Sequence, residues 1–306
     1  MLPLLWPVGL ALPGEQDRAL HALGVSETAK ATSLPRLSKQ ACLDQLNSLP
    51  NALVEPESGL IWCPNSKAGT TTMSEILQNK LDPGAPCPLC NKKLWNTRDR
   101  LSPSAQAKCF DASTMSLDAK QAFCERGNAL SFTILRNPWE RTASCYLDKV
   151  AKGTIAPDWD TSHIMSFSQF VQWLSKNGDS AALDHHFMSW SFRCGPIPHN
   201  YSLIGTAETL DDDLTTLLDA LHWDQSLNTE QAHPSLEECK QNSKCRSTIE
   251  AQLGADAFAG MQSSGDLALK LYQHGSTPEL DLIELVRRRY EGDVAAGGYE
   301  PPPRGE

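Results

Sequence analysis

The hydrophobic and polar positions of the chain first predict a strand, a loop and a helix between residues 60 and 81. Residues 60–64 are an apolar run short enough for a buried strand. Apolar positions then recur at helical spacing, at Met73, Ile76, Leu77 and Leu81. Thr72 and Glu75 have the spacing of a capping box. The pattern therefore predicts a helix whose capped first turn faces the end of the preceding strand.

A second strand, turn and helix follows in the same order. Residues 130–135 have the composition and the length of a strand. Asn137 then takes the N-cap position of a helix, with Pro138 at its first position and Glu140 at its third. The chain therefore contains two units in which a loop joins the end of a strand to the start of a helix.

Weaker patterns predict the remaining elements. They are helices around residues 38–49, 104–110, 117–126, 167–174 and 210–221, a strand at residues 201–205, and a last helix opened by Thr277 and Pro278. Strands that alternate with helices are typical of an α/β fold. We therefore predict a parallel sheet flanked by helices, with an N-terminal extension at residues 1–55, one domain at residues 56–300 and a loose tail at residues 301–306.

The composition is that of an ordinary globular protein with an acidic charge. The chain has 306 residues, of which 40% are hydrophobic, and this length allows a substantial core. The formal net charge of −10 argues against a nucleic-acid partner, but it does not argue against a small anion held by a local basic cluster. No stretch reaches the roughly 18 apolar residues that cross a bilayer. The nearest, residues 1–13, is either the remnant of a longer hydrophobic anchor or a packed N-terminus.

The ten cysteines form an even set that is compatible with a secretory compartment. We expect Cys239 and Cys245 to form a small-loop disulfide. Cys63 and Cys145 fall within a predicted strand and a predicted helix, and we expect both to be buried thiols. Asn200 begins a glycosylation sequence, although its position beside a predicted core strand argues against occupancy.

The loop of residues 65–72, between the first strand and its helix, combines residues that bind anions. It contains Lys67, Gly69 and three threonine hydroxyls. Backbone N–H groups are unpaired at a helix N-terminus, so such a loop favours a phosphate or a sulfate. It is not a Walker A loop, because Lys67 precedes Gly69 instead of following the last glycine. A threonine-rich turn that only caps the helix is the alternative.

The second loop adds arginines at the end of the second strand. Arg136 follows this strand directly, and Arg141 and Ser144 lie three residues apart on one face of the predicted helix. Arginine suits a fixed phosphate through its planar guanidinium, and lysine suits a moving charge as a compact donor. Ligands of open α/β sheets bind outside the carboxyl ends of strands, so the two loops predict a ligand with two separated anionic groups. A surface pair of arginine and glutamate on a capped helix is the alternative.

Together these segments resemble the Golgi-type carbohydrate sulfotransferases, in particular the chondroitin 4-O, HNK-1 and dermatan branch and, more distantly, the heparan and uronyl 2-O enzymes. The first loop is similar to the 5′-phosphosulfate motif of that family, although Asn65 and Ser66 separate Pro64 from Lys67. Residues 136–149 are similar to the 3′-phosphate motif. The likeness continues in Asp184, His185 and His186, in Cys194, in residues 201–208 and in residues 290–299.

The resemblance implies a P-loop-NTPase-like sulfotransferase fold. It also implies in-line transfer of a sulfuryl group from 3′-phosphoadenosine 5′-phosphosulfate to a hydroxyl, above all that of a carbohydrate. The implied catalytic residues are Lys67, beside the leaving oxygen, and His186 as the general base, with Asp184 and His185 as neighbours that orient or replace it. The implied donor-binding residues are Lys67, Ala68, Gly69, Thr70, Thr71, Thr72, Arg136, Arg141 and Ser144.

The same resemblance implies the Golgi lumen or the secretory pathway, although no membrane anchor is visible in the chain. We expect no metal, because a sulfuryl group carries less charge than a phosphoryl group. Two other classes of protein stay open, namely a non-catalytic protein that retains a phosphoadenosine site and a nucleotide-dependent kinase. The kinase is disfavoured by the order of the first loop and by the lack of an evident magnesium carboxylate in the sequence.

Overall fold

Five strands form one sheet in the computed structural model, which describes residues 34–49, 51–85, 101–153, 164–180, 183–195, 201–227, 235–277 and 280–304. The strands are β1 (Leu53–Glu55), β2 (Leu60–Cys63), β3 (Phe110–Asp111), β4 (Leu130–Leu135) and β5 (Leu203–Thr206). Their order is β3-β1-β2-β4-β5. Strands β2, β4 and β5 are parallel, whereas β1 runs antiparallel to β2 and β3 antiparallel to β1. The predicted α/β class is confirmed, with a sheet that is mixed instead of fully parallel.

Helices flank this sheet, as predicted. In the described part of the chain they are Lys39–Ser48, Thr70–Leu81, Pro103–Gln106, Leu117–Glu125, Pro138–Cys145, Phe167–Lys176, Trp190–Cys194, Leu210–Leu221, Ser235–Gln241, Ser243–Leu253, Ala255–Ala259, Ser264–Gly275, Leu282–Arg289 and Glu291–Gly297. A π-helix at Tyr146–Ala151 and 3-10 helices at Ala112–Thr114 and Gln225–Leu227 complete the set. Every helix among the described residues is too short or too polar to span a lipid bilayer.

Alternate residues of the central strands pack into different layers. Leu60 and Trp62 of β2 join the core that contains helices Thr70–Leu81 and Leu210–Leu221, whereas Ile61 joins the core on the other face. Both faces of the sheet are therefore covered, and every residue of β2 and β4 is buried, including Ser131 and Thr133 of β4. A third core surrounds helix Pro138–Cys145.

The N-terminal part of the described chain packs with the rest. Residues 34–306 form one compact unit. Helix Lys39–Ser48 and strand β1 lie in the stretch that the sequence assigned to an extension, yet β1 pairs directly with β2. The antiparallel edge of the sheet is therefore built partly from this stretch.

Three disulfides link the described cysteines, namely Cys42–Cys124, Cys63–Cys194 and Cys239–Cys245. The predicted small-loop disulfide is confirmed, and so is the buried thiol of Cys145. The prediction of a free thiol at Cys63 is wrong, because helix Trp190–Cys194 brings the Cα of Cys194 to 5.7 Å from that of Cys63. Asn200 lies outside the described residues.

The last predicted helix begins later than expected. Asp281 caps helix Leu282–Arg289, since its Oδ1 accepts a hydrogen bond from the backbone N–H of Glu284 at 3.1 Å. Thr277 instead forms an isolated β-bridge with Leu280. The strand predicted at residues 201–205 is likewise shifted, to Leu203–Thr206.

Candidate active site

The carboxyl ends of the parallel strands meet at one edge of the sheet and bring the two predicted loops into contact. Arg136, which follows β4, donates from Nη1 to the carbonyl oxygen of Lys67 at 3.1 Å. Glu208, which follows β5, accepts a hydrogen bond from the backbone N–H of Asn137 at 2.9 Å. Contacts between all three strand ends follow from the parallel pairing of β2 with β4 and of β4 with β5. This edge is where open α/β sheets bind ligands.

The first loop has the backbone of an anion site. Lys67 and Gly69 both adopt left-handed conformations, with φ of 65° and 67°. Gly69 is also closely packed, because a Cβ there would lie 3.1 Å from Ile134 Cδ1. The following helix begins at Thr70 and has no capping side chain at Gly69, so the predicted capping box of Thr72 and Glu75 is wrong. The helix N-terminus and its positive dipole therefore lie directly at the loop.

Asn65, which interrupts the motif in the sequence, is the centre of the loop's hydrogen bonds. Its carbonyl oxygen accepts from Thr70 Oγ1 at 2.7 Å and from the backbone N–H of Ala68 at 3.2 Å. Its side chain donates to the carbonyl oxygen of Ile134 at 3.2 Å and accepts from Arg141 Nη1 at 3.1 Å. Asn65 therefore connects the loop to β4 and to the second motif.

Arg141 lies beneath the loop instead of facing the open edge. Its side chain is 2% exposed, and Nη2 donates to Asp293 Oδ2 at 3.0 Å. Its guanidinium also stacks 4.6 Å from the centre of the Tyr290 ring. Asp293 accepts a further hydrogen bond from the backbone N–H of Trp190 at 2.8 Å. Arg141 therefore ties Asn65 to the C-terminal helix.

Arg136 and Ser144 belong to the second motif, and the structure places them in different environments. Arg136 is 8% exposed, and its Nη2 lies 3.5 Å from Glu140 Oε2. It lines a pocket of about 420 Å³ together with Glu140, Ser263 and Gly265. Ser144 is buried on helix Pro138–Cys145. The predicted capping of this helix is confirmed, since Asn137 Oδ1 accepts from the backbone N–H groups of its first turn.

Lys67 has a carboxylate partner that the sequence did not reveal. Its Nζ lies 2.8 Å from Asp148 Oδ2, and 20% of the lysine side chain is exposed. Asp148 belongs to the π-helix Tyr146–Ala151, which continues the helix of the second motif. The only sequence signal for this pairing is that Asp148 lies within the segment that resembles the 3′-phosphate motif.

His186 and Asp184 form a hydrogen-bonded pair. His186 Nδ1 lies 2.6 Å from Asp184 Oδ1, which also accepts from the His186 backbone N–H at 2.8 Å. A proton on Nδ1 would leave Nε2 as an acceptor. Burial lowers the pKa of His186 to about 4, with Lys149 and Lys67 acting in the same direction and Asp184 opposing them. His186 is therefore neutral at neutral pH.

Cys145 contacts the backbone of His186 and is affected by the charge of Lys67. Its Sγ donates to the carbonyl oxygen of His186 at 3.0 Å. Burial raises the pKa of this thiol to about 11, against the opposing charges of Arg141 and Lys67. The charge of Lys67 acts on both Cys145 and His186, so the two candidate catalytic residues lie within electrostatic range of each other.

The histidine cluster also has the composition of a metal site. The ligand atoms of Asp184, His185 and His186 all lie within 4.8 Å of one another. The neighbouring positive charges of Lys149 and Lys67 disfavour a bound cation there. These charges therefore oppose both a metal ion and a protonated imidazole at the cluster.

Arg193 is a further cation at this edge that the sequence did not reveal. Its Nη2 donates to the carbonyl oxygen of Pro64 at 3.4 Å, directly before the anion loop. Burial lowers the pKa of Arg193 to about 10, and the charge of Arg141 acts in the same direction. The disulfide between the neighbouring Cys194 and Cys63 fixes the backbone of this helix to the end of β2.

The parallel strand ends place a lysine loop and an adjacent arginine at one edge of an α/β sheet. A family model described as the sulfotransferase family matches residues 50–295 of the chain. The chain therefore belongs to the sulfotransferase family, and sulfuryl transfer is its general chemistry. No match was found among curated proteins or among solved structures.

Proposed function

We propose that the protein transfers a sulfuryl group from 3′-phosphoadenosine 5′-phosphosulfate to a hydroxyl of a carbohydrate. One observation carries the proposal. Lys67, on the loop after β2, lies close enough to the partly buried His186 to lower its pKa, and His186 Nδ1 lies 2.6 Å from Asp184 Oδ1. A cation for the leaving group and a neutral base for the acceptor are the two groups that in-line sulfuryl transfer requires.

Donor binding is assigned to the two loops. Residues 67–72 and the N-terminus of helix Thr70–Leu81 bind the 5′-phosphosulfate, and Arg136, which lines the pocket, binds the 3′-phosphate. The resemblance also assigned Ser144 to the 3′-phosphate, but its burial on helix Pro138–Cys145 argues against a direct contact. The sequence also suggested a donor contact for Arg141. Its burial and its bonds to Asn65 and Asp293 support a different role, in which Arg141 holds the loop in place.

Three side chains carry out the proposed chemistry. His186 accepts the acceptor hydroxyl's proton at Nε2, while Asp184 holds the ring in the required tautomer. Lys67 neutralises the negative charge that develops on the leaving phosphate oxygen. The scheme needs no metal, because the lysine and the helix N-terminus supply the positive field.

The wider setting of the enzyme is part of the proposal. We assign the enzyme to the branch that contains the chondroitin 4-O, HNK-1 and dermatan sulfotransferases, which its sequence motifs resemble. Three described disulfides support an oxidising compartment, and we place the enzyme in the Golgi lumen or the secretory pathway.

Transfer of radiolabelled sulfate from the donor to a panel of glycan acceptors tests the proposal. We expect labelled product with the wild-type chain, loss of transfer in His186→Ala, and no loss in His274→Ala, which changes an exposed histidine on helix Ser264–Gly275. Unchanged transfer in His186→Ala would eliminate the assigned base. Transfer of labelled phosphate from ATP by the same chain would instead support the kinase.

A further inference from the structure

Asp148 is the centre of an ion cluster next to the proposed catalytic lysine. Its carboxylate lies 2.8 Å from Lys67 Nζ, 3.3 Å from Lys149 Nζ and 3.5 Å from Lys152 Nζ. Lys152 also pairs with Glu238 at 2.6 Å. Three lysines thus face two carboxylates within this cluster.

The backbone at this point favours a specialised role. Asp148 and Lys149 are consecutive residues, yet both are buried and both take part in the cluster. They lie in the π-helix Tyr146–Ala151, and π-helical turns occur mostly as local distortions at functional sites. The widened turn therefore keeps a carboxylate beside Lys67 at the end of the second motif.

We propose that Asp148 is a positioning residue that holds Lys67 when the donor is absent and yields it to the phosphosulfate group when the donor binds. This inference rests on the proposed function. A carboxylate and a phosphosulfate are both oxyanions, and they compete for the same ammonium group. Asp148 keeps Lys149 and Lys152 as partners after Lys67 leaves, so its charge does not become unpaired in a buried position.

Competition between Asp148 and the donor for Lys67 predicts that removing the Asp148 carboxylate strengthens nucleotide binding. Asp148→Asn should bind 3′-phosphoadenosine 5′-phosphate about five- to tenfold more tightly than the wild type, because Lys67 no longer exchanges partners. Asp148→Glu, which retains the carboxylate, should stay within about twofold of the wild type. Loss of a merely structural contact would weaken binding, so the sign of the change separates the two roles.

Glu238→Gln is the matched control, to be measured with the others by titration calorimetry. It removes the same charge from the same cluster, but Glu238 contacts Lys152 and is 51% exposed. We expect its affinity to stay within about twofold of the wild type. In a Lys67→Met background, Asp148→Asn should gain no more affinity than Glu238→Gln.

The outcomes distinguish the inference from the proposed function. A wild-type chain that does not bind the nucleotide overturns both. Binding by the wild type that is unchanged or weaker in Asp148→Asn overturns the role of Asp148 alone, as does an equal gain in Glu238→Gln. If Asp148→Asn does not fold, Asp148→Ser provides the same comparison, with thermal unfolding used to verify each variant.

Discussion

The pKa of His186 is set by opposing effects of burial and of neighbouring charges. The side chain is 13% exposed, and burial together with the charges of Lys149 and Lys67 disfavours the imidazolium. Asp184, with Oδ1 at 2.6 Å from Nδ1, favours the imidazolium. Burial is the largest of these effects and lowers the pKa of His186 from 6.5 to about 4. We therefore expect the imidazole of His186 to be neutral at the near-neutral pH at which the proposed reaction takes place.

The size of this effect can be worked out. At about pH 5.5, a ring whose pKa is about 4 is about 97% neutral, whereas an unperturbed histidine is about 9% neutral. Between about pH 4 and 6.5 the folded chain binds fewer protons at this site than the unfolded chain. The contribution of His186 to the free energy of unfolding should therefore be largest above about pH 6.5, and should fall by about 3 kcal/mol as the pH decreases to 4.

Nuclear magnetic resonance titration of isotope-labelled histidine measures this pKa directly in the ligand-free chain. The chain contains 8 histidines, and the signal lost in His186→Gln identifies the ring in question. We expect that signal to titrate with a pKa near 4. Urea unfolding at several pH values provides a second measurement, in which His186→Gln should lose less stability than the wild type as the pH falls.

A measured pKa of 6.5 or higher would refute this reasoning, because the Asp184 carboxylate would then outweigh burial and the lysines. Asp184→Asn is the control. It removes a group that raises the pKa of His186, so the pKa should fall further. A rise in this variant would contradict the assigned contributions.

Three further predictions concern the scaffold and the second motif. Asp293→Asn leaves Arg141 buried without its carboxylate and should lower the free energy of unfolding by about 3–5 kcal/mol in urea; a loss below about 1 kcal/mol would contradict the buried pair. Replacing both Cys63 and Cys194 with serine removes a disulfide that joins residues 131 positions apart. The free energy of unfolding should fall by about 2–4 kcal/mol, and unchanged stability would argue against this disulfide. Arg136→Gln should weaken binding of 3′-phosphoadenosine 5′-phosphate at least about tenfold but barely affect adenosine 5′-phosphate, and equal losses for both nucleotides in calorimetry would oppose a 3′-phosphate contact.

The parts of the fold that were predictable are those with a strong local pattern. Strand β2 is covered on both faces and is a continuous apolar run in the sequence, and β4 is equally buried although Ser131 and Thr133 alternate with its apolar residues. Strands β1 and β3 have only three and two residues and carry no such signal. Glu55 of β1 obscures the pattern further, because this buried carboxylate accepts from the backbone N–H of Glu57 at 2.8 Å.

In the candidate site, too, residues within a local motif were predictable and residues that act through long-range contacts were not. Lys67 and Arg136 were predictable because each follows a strand within its own short motif. The role of Asn65 was not, because a sequence comparison registers it as an interruption and only the tertiary structure shows its bond to Arg141. The partner of Arg141 lies 152 residues away, so no local pattern reveals it. Contacts between residues so far apart in sequence depend on the tertiary structure.

Titration calorimetry of the wild-type chain with 3′-phosphoadenosine 5′-phosphate, in parallel with ATP, tests the central claim most directly. In the proposed assignment the two loops bind a 5′- and a 3′-phosphate separately, so the phosphoadenosine should bind at least about tenfold more tightly than ATP. Equal or tighter binding of ATP would contradict the assignment of the donor.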